Sequence, residues 1–298
     1  MFIPLAPGPT RPPRLPDPPD FPDLPDFPGL GVPRRVRLHY TRVMRFEDKT
    51  IIVTGATSGI GRAAAEAFGQ AGGAVVLVGR NDAALADVAD RIREYGGKAA
   101  TCAADVTAAD APDRIVRAAV DLGGAIDVLV NAAGIIATGT LENTTDATWD
   151  AMMAVNLTAP FRLMRAAAPH LARRKGTVVN VSSVNGLRSF AGVLAYNVSK
   201  AGVDHLTRCA AIEMAPIGVR VNAVNPGVTV TNLHRRSGMN ETQYAAFLER
   251  SKETHPIGRP GQPTDVAELI LFLASDRASW MTGETIPIDG GRHLTCAR

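Results

Sequence analysis

From Lys49 onward, short apolar runs alternate with longer stretches of helical periodicity. The runs Ile51–Thr54, Ala74–Val78, Ala99–Ala103, Ile126–Val130, Thr177–Val181 and Val219–Val224 are dominated by apolar residues and bounded by Gly, Asp or Asn. Consecutive apolar positions predict strands buried on both faces, as a parallel sheet requires. Between them, Ile60–Ala71, Ala83–Tyr95, Ala111–Leu122, Ala147–Arg174, Tyr196–Met214 and Thr264–Ala274 read as helices, and Thr285–Ile288 as a last strand. Strands alternating with helices predict βαβ units: an α/β, doubly wound, Rossmann-like, mostly parallel seven-stranded sheet with helices on both faces, in one domain. Ligands bind such sheets at the carboxyl ends of the strands, so the loops there are where chemistry is expected.

Residues 1–43 lack this alternation. Of the 21 prolines, 12 fall in residues 1–33. Proline has no N–H and a fixed φ, so this text is read as a solvated tail ahead of one domain over 44–298. An alternative is that synthesis starts at Met44. The formal charge is +3; six Arg and four Asp in residues 1–43 supply +2, leaving +1 for the other 255 residues. A body so nearly neutral excludes a broad nucleic-acid-binding face. No run of 18 or more apolar residues exists, so no membrane span is expected. Cys102, Cys209 and Cys296 are odd in number and far apart, which points to a reducing, cytoplasmic setting. The basic, acid-free Arg34–Arg45 keeps a mitochondrial transit peptide as the alternative.

Directly after the first strand comes Thr54-Gly55-Ala56-Thr57-Ser58-Gly59-Ile60-Gly61, opening a helix. Gly55 permits a tight turn, Gly59 close backbone approach to a pyrophosphate, and Gly61 close helix–strand packing, while the helix N-terminus supplies N–H donors. The second strand ends in Gly79-Arg80-Asn81, where an acid would hold the ribose 2′-hydroxyl of NAD and an arginine would accept the 2′-phosphate of NADP. Arg80 favours NADP(H), with NAD(H) as the alternative.

Tyr196-Asn197-Val198-Ser199-Lys200 places a phenol and an ammonium on one helical face. A phenol of pKa near 10 is a poor base at neutral pH, and a neighbouring cation draws that value down. Ser183, at the end of the fifth strand, offers a hydroxyl to a carbonyl oxygen.

Together these motifs resemble the short-chain dehydrogenase/reductase family from about Arg45 to Arg292. The resemblance rests on the 54–61 loop, Asn131-Ala132-Ala133-Gly134, Asn156, Ser183, Tyr196-x-x-x-Lys200 and Asn225-Pro226-Gly227. It implies that Tyr196 protonates the substrate oxygen, Ser183 polarises it, Lys200 holds the nicotinamide ribose, and Asn156 orders a water chain. It also implies that Thr57, Ser58, Asp105, Val106, Asn131, Ala132 and Gly134 line the cofactor, with Pro226, Gly227, Val228 and Thr231 at the nicotinamide side. Many NADP-using relatives carry a basic residue where this loop has Thr57 and Ser58, a departure that weakens the NADP reading.

No metal is implied, because none of the six histidines forms a pair at ligand spacing. The resemblance implies that the segment Val228–Pro263 covers the substrate, and helical spacing from Met239 to Leu248 predicts a small lid within it. Arg235 and Arg236 read first as a solvated pair, second as contacts for a phosphate or carboxylate. Within the family the chain most resembles 3-oxoacyl-(acyl-carrier-protein) reductases. This implies a small-molecule or acyl-carrier carbonyl substrate, with polyols, sugars, steroids and xenobiotic carbonyls as alternatives. A dinucleotide-sensing interaction protein is the reading from another class. Relatives pair two long helices, so a homotetramer or homodimer is expected across Ala147–Arg174 and Tyr196–Met214.

Overall fold

A computed structural model describes residues 44–295; the readings of residues 1–43 and Cys296 lie outside them. In chain order, β1 (Thr50–Thr54), α1 (Gly59–Gln70), β2 (Ala74–Gly79), α2 (Asp82–Glu94), β3 (Lys98–Ala103), α3 (Ala111–Gly123) and β4 (Val128–Asn131) form the first half. Then follow α4 (Asp146–Met153), a π-helical turn (Ala154–Thr158), α5 (Ala159–Arg174), β5 (Thr177–Val181), α6 (Val184–Leu187), α7 (Leu194–Met214) and β6 (Arg220–Pro226). The chain continues through α8 (Leu233–Arg236), α9 (Glu241–Thr254), α10 (Pro263–Ala274) and β7 (Thr285–Ile288).

All seven strands pair in parallel, in the order β3-β2-β1-β4-β5-β6-β7. Period-two alternation divides the strand side chains between two cores. Ile51, Val53, Val75 and Leu77 pack with α1, α2 and α10, whereas Ile52, Val76 and Val78 pack with α3, α5 and α7. Both faces are covered, which is why the strand text is apolar at nearly every position. The strand order reverses between β1 and β4, and a crevice opens where the loops after these two strands diverge.

Four elements depart from the sequence reading, the short α8 among them, which was not expected. The helix expected over 147–174 is interrupted by the π turn, which holds Asn156. Pro160, four residues on, has no N–H to return to the Asn156 carbonyl, so the regular ladder cannot run through this point. The short α6 was not expected, and Ser183 caps it, accepting the Asn185 N–H at 3.2 Å. The lid helix α9 starts later than Met239, because Asn240 and Gln243 form a reciprocal capping box. Among the described residues no helix is long and apolar enough to cross a membrane.

Candidate active site

The loop after β1 is fixed from two sides. Thr54 Oγ1 accepts the Ala132 and Ala133 N–H groups at 3.0 Å each, tying it to the loop after β4. Gly55 turns at φ +68°, and a Cβ there would lie 2.8 Å from the Ala132 carbonyl oxygen, so only glycine fits. Ser58 precedes α1 as its N-cap but makes no side-chain cap bond, and the first turn of α1 carries no acid. Its N–H groups and dipole are therefore left facing the crevice, which suits an anionic phosphate group. Across the crevice, the Thr231 methyl group would lie 3.0 Å from a Cβ on Gly59.

A cavity of about 340 Å³ opens here. Of the residues picked out in the sequence, it gathers Gly55, Thr57, Ser58, Gly59, Ile60, Gly61, Ala132, Gly134, Ser183, Tyr196, Lys200, Pro226, Gly227, Val228 and Thr231. Asn156 is buried behind its wall. The Asn156 side chain accepts the Ile135 N–H at 2.9 Å and donates to the Ile135 carbonyl at 2.9 Å, clamping the loop after β4. Asn131 is also turned away, donating to Asn180 at 2.8 Å inside the sheet.

Arg80, Asn81, Asp105 and Val106 lie outside this cavity, at the ends of β2 and β3. Asn81 caps α2 through the Ala84 N–H at 2.9 Å. Asp105 accepts from the Thr107 N–H and hydroxyl, which hold its carboxyl below the usual range, with a smaller contribution from Arg80. Val106 packs on the α3 side of the sheet. The space that Gly79 leaves by lacking a side chain is taken by Thr57, whose methyl would lie 2.7 Å from a Cβ at that position.

At the chemical end of the cavity, Tyr196, Lys200 and Ser183 are all buried. Lys200 Nζ donates to the Val181 carbonyl at 2.8 Å and lies 5.7 Å from the Tyr196 ring centroid. Gly134 sits opposite, where a Cβ would come within 3.4 Å of Asn156 Oδ1 and 3.7 Å of Lys200 Nζ. Burial pushes the Tyr196 phenol up and Lys200 down to about 8, while Ser183 pulls the phenol partly back and Asp204 holds the lysine partly up. The expected direction for the tyrosine is thus reversed: desolvation exceeds every stabilising contact on the phenolate.

Supporting residues escaped the sequence reading. Asp204 is buried four residues after Lys200 and accepts from Asn225 Nδ2 on both carboxylate oxygens, at 2.9 and 3.0 Å, while the same Nδ2 reaches the Ser183 carbonyl at 2.9 Å. Lys200–Asp204 spacing on one helix was the available signal. His255 accepts the Val228 N–H on Nε2 at 3.1 Å, so Nδ1 carries the proton and donates to the Ser251 carbonyl at 2.7 Å. This neutral ring holds the loop after β6. The lid is tied down by Tyr244, whose hydroxyl donates to the Thr231 carbonyl at 2.9 Å and accepts its N–H at 3.1 Å.

A family model described as enoyl-(acyl carrier protein) reductase matches residues 55–293. The chain belongs to the short-chain dehydrogenase/reductase family. It is 38% identical over 253 residues to a 3-oxoacyl-(acyl-carrier-protein) reductase of Thermotoga maritima, covering 83% of this chain and 99% of the relative. It is 37% identical over 252 residues to a 2,5-dichloro-2,5-cyclohexadiene-1,4-diol dehydrogenase of Sphingobium indicum, covering 83% and 97%. The crystal structure of a Caenorhabditis elegans short-chain dehydrogenase/reductase with cofactor matches with a TM-score of 0.80 and 36% identity, covering 84% of this chain and 97% of that one. As a short-chain dehydrogenase/reductase it is an NAD(P)-dependent oxidoreductase acting on a carbonyl or alcohol group.

Proposed function

We propose that this short-chain dehydrogenase/reductase interconverts a ketone and a secondary alcohol through Tyr196, Ser183 and Lys200. One observation carries the reading: these three buried groups meet in the same cavity as the open N-terminus of α1. When bound, the nicotinamide cofactor supplies or accepts the hydride. Gly55, Thr57, Ser58, Gly59, Ile60 and Gly61 would hold its pyrophosphate. Ala132, Gly134, Pro226, Gly227, Val228 and Thr231 would line it further along. Asp105 and Val106 would sit at the adenine side, and Asn131, turned into the sheet, would act by tying β4 to β5 beneath the loop that lines the cofactor.

Hydride addition to a ketone builds negative charge on oxygen, and a positioned acid beside a second donor stabilises it. The raised pKa of Tyr196 keeps the phenol protonated, ready to donate. The Ser183 hydroxyl holds the same oxygen. Lys200, with one N–H on the Val181 carbonyl, has further donors for ribose hydroxyls, and its charge stabilises the phenolate left behind. The Asn156 side chain is spent on Ile135, so its carbonyl, free of a Pro160 N–H, is the atom that orders a water for proton resupply.

Arg80 at the end of β2 supports NADP(H); Asp105 beside it and the filled space at Gly79 support NAD(H) as the alternative. A 3-oxoacyl thioester is the first substrate reading, following the Thermotoga maritima relative, and a diol or other carbonyl the second. The free thiols of Cys102 and Cys209 support a cytoplasmic location. A homo-oligomer across α5 and α7 completes the proposal.

The test is a panel of 3-oxoacyl thioesters, diketones and steroids assayed with NADPH and with NADH. Tyr196→Phe is expected to lower turnover by about 10²–10⁴-fold while cofactor still binds. Wild-type rates in that variant would overturn the assignment, and a preference for NADH would overturn the role of Arg80.

A further inference from the structure

The wall of the cavity beyond Ser183 and Tyr196 is built around Phe190. Asn197 Nδ2 donates to the Phe190 carbonyl at 2.7 Å, and its Oδ1 accepts from Asn185 at 2.7 Å. The Ser183 hydroxyl donates to Asn185 Oδ1 at 3.2 Å. Three hydrogen bonds in series therefore link Phe190 to Ser183. Two guanidinium groups lie over the Phe190 ring, Arg292 at 4.8 Å and Arg188 at 5.5 Å from its centroid.

The two arginines differ in what they have to do. Arg188 Nη1 donates to the carbonyls of Arg292, His293 and Thr295, anchoring that segment. Arg292 lines the cavity, and its Nη1 is buried with no hydrogen-bond partner among the described residues. The nearby carboxylate is committed elsewhere: Asp289 accepts from the Gly291 and His293 N–H groups and from the His293 ring. Burial, Arg188 and Arg250 all press the Arg292 pKa down, opposed by Asp289. Among the described residues no Asp or Glu lines the cavity, whereas Lys200, Arg236 and Arg292 do. A guanidinium that lines the cavity and carries a donor without a protein acceptor offers an anion from outside the protein a charge-assisted hydrogen bond. The second arginine of the sequence pair, Arg236, faces the same cavity, while Arg235 is spent on Glu241 at 2.7 and 2.9 Å.

We infer that the cavity takes a carbonyl substrate that itself carries a carboxylate, and that Arg292 receives that carboxylate. A single-charged group is favoured over a phosphate because Phe190, Leu233, Phe247 and Ile136 make the surrounding wall largely apolar. This rests on the reductase reading above and narrows its substrate class to oxo acids.

The probes are 3-oxobutanoate, its methyl ester and dihydroxyacetone phosphate, assayed on the full chain with reduced cofactor. The acid is expected to exceed the ester in kcat/KM by about ten- to a hundredfold, chiefly through KM, the range of a charge-assisted hydrogen bond. Arg292→Leu removes that advantage, and Arg292→Lys restores part of it. Calorimetric titration of 3-hydroxybutanoate into the protein loaded with oxidised cofactor reads the same contact without turnover, and Arg292→Leu weakens it by a similar factor. Equal treatment of acid and ester by the wild type, equal losses on both in Arg292→Leu, or preference for the phosphate ester would each overturn the inference. If 3-hydroxybutanoate binds through Arg292 yet no carbonyl compound turns over, the reductase reading fails and the anion site stands. If the ester turns over and no such binding occurs, the reverse holds.

Discussion

Lys200 holds its charge at a cost set by burial. With its pKa lowered to about 8 it is an ammonium through the neutral range, and it loses that charge as pH rises through this value. The phenol of Tyr196, raised instead, stays protonated over the same range. Carbonyl reduction needs both protons in place, so kcat/KM is expected to fall on the alkaline side with a limb near pH 8. Asp204 is the contact holding Lys200 up, and Asp204→Asn removes it. In that variant the alkaline limb should move to lower pH, because less proton affinity is left to oppose desolvation. A pH–rate profile checks this, and a limb that stays in place would reduce Asp204 to a prop for Asn225 and the Ser183 backbone.

At the scale of elements, the opposite ends of the sheet carry separate duties. The carboxyl ends of β1, β4, β5 and β6 present the chemistry, while the entry to β4 is closed by Asp127, buried and accepting the Thr50 N–H of β1 at 2.9 Å. Arg174 Nε at 2.9 Å and Lys49 Nζ at 3.5 Å neutralise it from the surface. Asp127→Ala strands a buried N–H and should cost about 1–3 kcal/mol; the half-exposed arginine adds little. Urea unfolding should show the loss, with the rate per folded molecule unchanged because the site lies at the other end of the strands. The central strands β1, β2, β4 and β5 were legible in the sequence because burial on both faces writes short runs rich in Val, Ile and Leu, whereas the edge strand β3, Lys98–Ala103, is largely unburied and carries none. The interruption at Asn156 was not, since widening one turn leaves the apolar spacing of 147–174 nearly intact. The motif loops were equally legible, each being local in sequence. Phe190 and Arg292 were invisible because their meeting depends on Arg188 gripping a segment that follows the last strand, a contact with no periodic trace.

For the molecule as a whole, the exposed side of α7 poses a question that the fold does not answer by itself. Within the stretch Ala147–Arg174 expected to take part in a subunit contact, Met152 and Leu163 are buried within the chain's own core. Phe161 on α5 and Ile212 on α7 remain 43% and 77% exposed, joined by Val198 at 44%. On α7, Val198, His205, Cys209 and Ile212 recur at helical spacing on one exposed side, with Ala201 between them. Single exposed apolar residues need no explanation, but a stripe along a long helix, with Phe161 also exposed on α5, fits a partner surface. A second copy of the same chain is the occupant proposed above, and a two-fold pairing would set like helices against each other. The expected outcome by sedimentation is a wild-type multimer, and Phe161→Glu with Ile212→Glu should move it toward the monomer mass. The cavity is lined within one chain, so the dissociated form should keep measurable turnover on the same carbonyl substrates, with its stability lowered by the newly wetted face. A wild type that sediments as a monomer would remove the pairing and leave the stripe without a function.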